Sequence, residues 1–470
     1  MTGSEAADCK ASDGKETVPA GSAAGGDGAW PSRTYAWYIV VVLTLAYTCS
    51  FIDRQVLTLL IEPIRRDLQI NDTQIGLLGG LAFSIFYTLL GIPLARIADR
   101  ASRRNLMTAG VAVWSLMTAA CGLARGFWPL FTARVGVGVG EAALSPAAFS
   151  LLADYFPRQS LARAISVYST GVYFGAGLAL MIGGTIIRLV SNAPTQTLPV
   201  FGELYPWQLT FIVVGALGLP IVLLMFTIRE PARRGLGDGD RRAASSWPAL
   251  RGFLATNAWA VTCHIGAFTL YGIAIGNYLF WTPSMIMRTF GWDAPRAGLT
   301  LGAILFVFGT FGVYAGGWLA DRLARSGRTD AILRAAFIGM CCGLPLIVST
   351  PLVGDVRIAL VLLSGAIFFL ALPQGLPAAA LQVMTPNPLR AQMTAIYFFI
   401  GNLIANGLGP MFAGLLTDYA FGDPAMLRYA LAIVCATAAP LSVVLLYVGL
   451  PHYRASVLRA GNPGSGNPGP

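Results

Sequence analysis

The sequence predicts an all-α membrane protein, with twelve transmembrane helices in two six-helix pseudo-repeats, and three observations carry that reading. Hydrophobic residues make up 55% of the 470 and charged residues only 11%, against about 25% charged in soluble domains, and the mean hydropathy is +0.64. Apolar runs of bilayer-spanning length recur along the chain. Two charged signatures also return at nearly one offset. The aspartates of Asp99-Arg100 and Asp321-Arg322 lie 222 residues apart, and Arg163-Ala164 is echoed 227 residues on by Arg390-Ala391.

Taken in order, residues 1–33 are rich in Gly, Ala, Ser and Asp and lack the apolar core of a signal peptide, so a disordered tail is expected there. Apolar segments at 34–60, 73–98, 105–125, 128–153, 163–190 and 208–228 make an N-terminal half, 34–228. An arginine-rich stretch with Gly235, Gly237 and Gly239 follows and reads as a linker over 229–254. Segments at 255–287, 297–322, 330–350, 356–384, 391–417 and 426–449 make the second half, 255–452. A second disordered tail, 453–470, is expected to close the chain.

Arginine placement sets the expected topology. The even loops, linker and tails hold 22 of the 32 Lys and Arg residues, and the odd loops hold 8. The positive-inside rule therefore puts both termini and the linker in the cytoplasm. The net charge of +10 is accounted for by topology and headgroup attraction, with no nucleic-acid partner required. Lys10 and Lys15 are the sole lysines, and no G-x-x-x-x-G-K-[ST] run exists, which excludes a P-loop ATP-driven pump. The seven cysteines have no metal-ligand spacing. No nucleophile–base pair stands out, so neither an enzyme nor a cofactor or metal site is expected. Asn71-Asp72-Thr73 matches a short glycosylation pattern and carries little weight.

Ionised side chains inside apolar segments are costly and are functional candidates by default. In Arg134-Val-Gly-Val-Gly-Val-Gly-Glu141, arginine and glutamate stand two turns apart on one helical face, about 10.5 Å in rise. Gly138 and Ser145 share that face. Burial favours a protonated Glu141 and a nearby arginine favours an ionised one, which makes it the leading candidate for a proton site. Arg134 has the permanent charge and planar fork that suit either a phosphate or the Glu141 carboxylate. Asp53 falls at the depth of Arg134, with Glu141 deeper. The expected network is Asp53, Arg134 and Glu141, with Arg54 on its margin. On the seventh segment His264, Phe268, Tyr271 and Tyr278 share a face and offer an aromatic wall opposite the charges, with ordinary helix packing as the alternative. Pro283 predicts a kink near that segment's far end. The tenth segment, counterpart of the fourth, is uncharged in its middle.

Asp99-Arg100-Ala-Ser-Arg103-Arg104 resembles the loop signature of the major facilitator superfamily, with Ala95 and Ser102 where that pattern usually has glycine. Phe51-Ile-Asp53-Arg54, the Arg134–Glu141 run continuing to Ser145-Pro146, and Leu152-Ala-Asp154-Tyr-Phe156 resemble the Spinster branch of that superfamily. The resemblance implies two rocking halves around a midplane cavity. It also implies a proton-coupled carrier of amphipathic lipids such as lysophospholipids or sphingosine-1-phosphate. On it, Glu141, Asp53 and Arg134 would couple protons. Arg134, Arg54, Ser145, Phe268, Tyr271, Tyr278 and His264 would meet substrate. Asp99, Arg100, Arg103, Arg104, Asp321, Arg322, Arg163 and Arg390 would form a cytoplasmic gate. The expected location is a bacterial inner membrane, as a monomer. A proton-linked carrier of small organic anions or sugars, a drug/proton antiporter and, at a distance, a membrane sensor on a transporter fold are the alternatives.

Overall fold

In lipid every backbone polar group must be satisfied internally, which leaves helices as the route across for a chain without barrel strands. A computed structural model describes residues 31–98, 101–169, 171–191, 196–198, 202–231, 247–386 and 389–461. Among them, eleven helical stretches are long and apolar enough to span a membrane. They are α1 (Arg33–Leu59), α2 (Asp72–Gly91), α4 (Phe127–Tyr155), α5 (Val172–Ser191), α6 (Pro206–Phe226), α7 (Ala258–Phe290), α8 (Ala294–Arg325), α9 (Ala331–Leu352), α10 (Val356–Met384), α11 (Gln392–Phe421) and α12 (Pro424–Arg459). The twelfth position belongs to α3 (Arg103–Cys121), whose Arg103-Arg104-Asn105 start lowers its mean hydropathy. Its 19 residues make about 28 Å at ~1.5 Å per residue, close to the ~30 Å hydrocarbon thickness. A small antiparallel hairpin, Gln196–Leu198 against Gly202–Leu204, sits in the α5–α6 connection and is the one strand pairing among the described residues.

The repeat survives in local geometry. α4 breaks in a turn at Ala142–Ala143, immediately after Glu141 and ahead of Pro146. α10 breaks in turns over Leu372–Gly375, where Gly375 takes φ 83° ahead of Pro377. Each half also carries an ionic strut at the start of its third helix, with the signs reversed. Arg103 is buried and pairs with Asp154 at the end of α4, and it donates to Glu230 Oε1 at 2.7 Å beyond α6. In the second half Asp330 is the buried member, accepting from Arg334 at 3.0 Å and from Arg454 at 2.7 Å. Both carboxylates outside the spans, Glu230 and Asp330, are held below the ordinary carboxylate range by these hydrogen bonds, which outweigh the opposing effect of burial.

The two halves press together, toward the face opposite the termini and at mid-depth, through backbone approaches that leave no room for a side chain. A Cβ on Gly76 of α2 would lie 2.7 Å from Met411 Cα on α11, and one on Gly177 of α5 would lie 2.6 Å from Phe306 N on α8. The glycine runs of the fifth and eleventh segments thus serve close helix contact. At this contact α8 and α11 contain π-helical turns, Leu305–Gly309 and Gly401–Leu408.

Two expected boundaries shift. The last helix runs on to Gly461, with Tyr453 and Ser456, three residues apart on one helical face, buried against the second half; 462–470 lies outside the described residues. A helix over Trp247–Thr256 occupies the end of the expected linker, whose 232–246 portion lies outside the described residues, as do residues 1–30.

Candidate functional site

The glycines between Arg134 and Glu141 position α4 among its neighbours. A Cβ on Gly138 would lie 2.4 Å from the Phe83 carbonyl oxygen on α2, and one on Gly140 would lie 2.6 Å from Trp114 N on α3. Gly138 therefore serves the α2 contact rather than a polar stripe. α4 sinks between α2 and α3, and its two charged side chains reach α1. Asp53, Arg134 and Glu141 are all buried to within 2% of full enclosure.

The pairing differs from the expectation. Arg54 answers Glu141: its Nε donates to Glu141 Oε2 at 2.8 Å, and its Nη2 pairs with the same oxygen. Arg134 donates from Nη1 to the Asp53 backbone carbonyl at 3.1 Å. The network of Asp53, Arg134 and Glu141 with Arg54 on its margin is therefore corrected. Arg54 is the centre, and Arg134 braces the α1 backbone beside it. The physical reason is distance along α4: Arg134 stands about 10.5 Å from Glu141 in rise, whereas Arg54 reaches across from α1 at the level of Glu141 itself.

Arg54 is also held by rings. Its guanidinium lies 4.4 Å from the Phe83 centroid and 5.4 Å from those of Phe51 and Tyr87. Each such contact contributes about 0.5–2 kcal/mol, more as water is excluded. Tyr47 stacks on Tyr168, whose hydroxyl lies 3.3 Å from Ser145 Oγ, extending the cage toward the α4 break. The sequence signal for the cage, Tyr47, Phe51 and Arg54 at helical spacing on one segment and Phe83 and Tyr87 on the next, is hidden by the apolar composition around it. The Arg54 side chain keeps 27% of its surface exposed while Glu141 keeps 1%. The cation is thus open to a ligand, and its counter-ion is sealed behind it. Asp53 Oδ1, Arg134 Nε and Glu141 Oε1 are buried without a hydrogen-bond partner among the described residues. Three such groups so close in the fold mark a place where a proton or a polar ligand atom is stabilising.

The aromatic face of α7 is packed more tightly than a free wall would be. Tyr271 donates to the Leu370 carbonyl of α10 at 3.0 Å, and Tyr278 is fully enclosed. His264 is buried against Phe268 and Tyr397, with ring centroids 5.0 and 5.8 Å away. Leu279, Thr282 and Pro283 of α7 line a narrow cleft of about 20 Å³, closed by Leu180 of α5, Leu305 of α8 and Leu363 of α10. Gln55, next to Arg54, lies at its edge. α7 continues as one helix through Pro283 to Phe290.

Among the described residues, the expected gate residues show no contact with one another across the halves. Arg103 is the strut described above, and Arg104 donates its backbone N–H to Glu230 Oε2 at 3.0 Å. Arg163 lies over Trp37 of α1 at 5.7 Å, Arg390 donates to the Thr385 carbonyl at 3.1 Å, and Arg322 lies over Trp318 at 5.4 Å. Asp321 is exposed, its carbonyl accepting from Arg325 at 3.4 Å. Asp99 and Arg100 lie outside the described residues.

Comparison with known proteins follows from this geometry. Residues 43–410 match the family model described as Major Facilitator Superfamily. The chain is 27% identical over 429 residues to an MFS-type efflux pump of Mycolicibacterium smegmatis, covering 90% of this chain and 94% of the pump. It is 27% identical to protein spinster homolog 1 of Rattus norvegicus, covering 82% and 74%. It is 24% identical to a probable L-galactonate transporter of Escherichia coli, covering 85% and 86%. Among solved structures, a bacterial homologue of the human lysosomal transporter Spinster, in an inward-facing and unoccupied conformation, superposes with a TM-score of 0.75 at 27% identity. That match covers 93% of this chain and all of the other.

Proposed function

The chain belongs to the Major Facilitator Superfamily, and from that premise we propose that it is a proton-coupled carrier of an amphipathic lipid, of the lysophospholipid or sphingosine-1-phosphate kind. The observation that carries the reading is the exchangeable pair of Arg54 and Glu141. An anionic headgroup entering the cavity meets the exposed edge of the Arg54 guanidinium and competes with Glu141 Oε2 for the same donors. A Glu141 carboxylate that loses Arg54 is left buried without its counter-charge, a state costing several kcal/mol, and taking a proton relieves it. Substrate binding and protonation are thereby one event. Arg134 and Asp53 hold α1 in place while the exchange occurs, and Ser145 and Tyr168 edge the cage.

The apolar tail has a place in the cleft beside Gln55, whose walls are Leu, Ile and Pro side chains with Thr282 as a second polar group. Its room of about 20 Å³ is far below the ~300–1,000 Å³ common for ligand sites, so a tail enters there only as the walls part. A polyhydroxylated sugar acid would find few hydrogen-bond partners on those walls. Two other cargoes follow from the relatives, a small organic anion from the L-galactonate transporter and an exported drug from the efflux pump, and both would use the same charged pair.

We place the terminal face in the cytoplasm of a bacterial inner membrane, on the arginine asymmetry. The sealed face is then external, and the carrier works as a monomer by alternating access. Purified protein in liposomes, given a pH gradient, tests the proposal against lysolipids, sphingosine-1-phosphate, sugar acids and cationic drugs. Concentrative uptake of lipid that Glu141→Gln abolishes is expected; uptake of sugar acids without lipid would sink the lipid assignment.

A further inference from the structure

Asn277 stands within α7 with 0% of its surface exposed. Its Nδ2 donates to the Ile273 carbonyl of its own helix at 3.1 Å and to the Gly409 carbonyl of α11, and its Oδ1 accepts from Ala413 N–H of α11 at 3.2 Å. Gly409 C=O and Ala413 N–H are the two groups that a single α-helical turn joins to each other. One side chain of α7 therefore holds both ends of one turn of α11. Trp281, a turn further along α7 and also fully enclosed, donates from Nε1 to the Pro410 carbonyl at 2.7 Å. Gly272 lets the two helices come this close, since a Cβ there would lie 2.6 Å from Ala405 Cβ.

α11 is weakest where it is held. Pro410 has no N–H, so the Asn406 carbonyl loses the donor that a regular helix would supply. π-helical turns flank the site on both sides, Gly401–Leu408 and Leu416–Phe421, and such turns interrupt helices mostly at working positions. The corresponding helix of the first half, α5, is regular α-helix throughout and contains no proline. At the 222-residue offset that relates Asp99 to Asp321, Asn277 corresponds to Gln55, which lies at the edge of the cleft. The Pro410 carbonyl also faces the first half, where a Cβ on Gly76 of α2 would lie 2.8 Å from it.

An opened helical turn in apolar surroundings leaves an N–H and a C=O unpaired, at a cost that normally keeps membrane helices closed. Asn277 presents an acceptor to one group and a donor to the other, so at this turn the cost is offset. We propose that Asn277, assisted by Trp281, is a positioning residue for transport: it supports a hinge in α11 at Gly409–Ala413 that opens as the carrier changes state, while α5 moves as a rigid rod. The hinge follows from membership in the superfamily and from the α7–α11 contact, so it holds whether or not the cargo is a lipid.

Hydrogen exchange of the full-length protein in lipid nanodiscs, read by mass spectrometry over peptides covering 409–416 of α11 and 176–186 of α5, is the experiment. In the parent protein the α11 peptide is expected to exchange at least about tenfold faster than the α5 peptide, because its opened turn keeps two hydrogen bonds. Asn277→Leu keeps the branched shape of the side chain and removes both bonds to α11. The hinge then loses its support, opening becomes rarer, and exchange over 409–416 should fall about tenfold or more. A simple interhelical brace gives the opposite sign: without it α11 loosens, and exchange rises together with a lower unfolding temperature. Trp281→Phe keeps a ring, removes only the bond to Pro410 and serves if Asn277→Leu does not accumulate; a fall of about threefold is expected. Unchanged or faster α11 exchange in the folded variant would overturn the hinge, as would equal exchange of the α11 and α5 peptides in the parent.

Discussion

Replacing Glu141 by glutamine should make the protein bind an anionic substrate more tightly while ending coupled transport. In the resting pair Arg54 donates from Nε at 2.8 Å and from Nη2 to a single oxygen of Glu141. Hydrogen bonds to charged groups contribute about 1.5–3 kcal/mol each and neutral ones about 0.5–1.5. Glutamine keeps an acceptor but not the charge, so two bonds weakened by about 1 kcal/mol each release Arg54 by about 2 kcal/mol. At ~1.4 kcal/mol per tenfold, that is about a thirtyfold lower Kd for an anionic lysolipid. The assay is equilibrium binding to purified protein, with a neutral-headgroup lysolipid as control, together with uptake into liposomes under a pH gradient. Equal or weaker anion binding by a variant with an unaltered unfolding temperature would refute the competition between substrate and Glu141 for Arg54.

Gly138→Val should lower stability by about 1–3 kcal/mol, since even a Cβ would stand 2.4 Å from the Phe83 carbonyl oxygen; thermal unfolding in detergent checks it. Arg103→Met strands Asp154 and Glu230 at the α3 strut, and a loss of about 3–5 kcal/mol is expected by the same measurement. Acid should loosen both struts. Glu230 and Asp330 are held below their ordinary values, so their stabilisation is complete above the usual carboxylate range near about 4 and is lost as pH falls through the depressed values. The unfolding temperature should therefore drop on acidification below about pH 4, and less steeply in Glu230→Gln and Asp330→Asn. A pH profile unaffected by either substitution would contradict this.

The helices and their division were legible because the cost of exposing backbone to lipid writes long apolar runs into the chain, and because Arg163 and Arg390 repeat at one offset. The charged residues of the site were legible for the same reason: Asp53, Arg54, Arg134 and Glu141 stand out against apolar neighbours. Who pairs with whom was not. Position around and along a helix follows from residue number, but the rotation of α4 against α2 and α3 is set by Gly138 and Gly140 meeting Phe83 and Trp114, contacts that no periodicity reveals. The aromatic cage of Arg54 becomes visible only when α1 and α2 are laid together. The ion pair of Arg288 with Asp72 across the halves was missed for a different reason. Arg288 counted toward loop charge, and Asp72 toward a glycosylation pattern, because their partners lie 216 residues apart. Asn71 instead caps α2 in a reciprocal arrangement with Gln74.

The central claim is that substrate and proton meet through one pair, Arg54 and Glu141, and proton uptake on binding measures it. Anionic lysolipid is mixed with purified protein in weakly buffered solution at neutral pH, and the pH change is titrated back. Close to one proton taken up per substrate bound, falling to none in Glu141→Gln while binding persists, is the result this account requires. Binding without proton uptake in the parent protein, or undiminished uptake in Glu141→Gln, would contradict it.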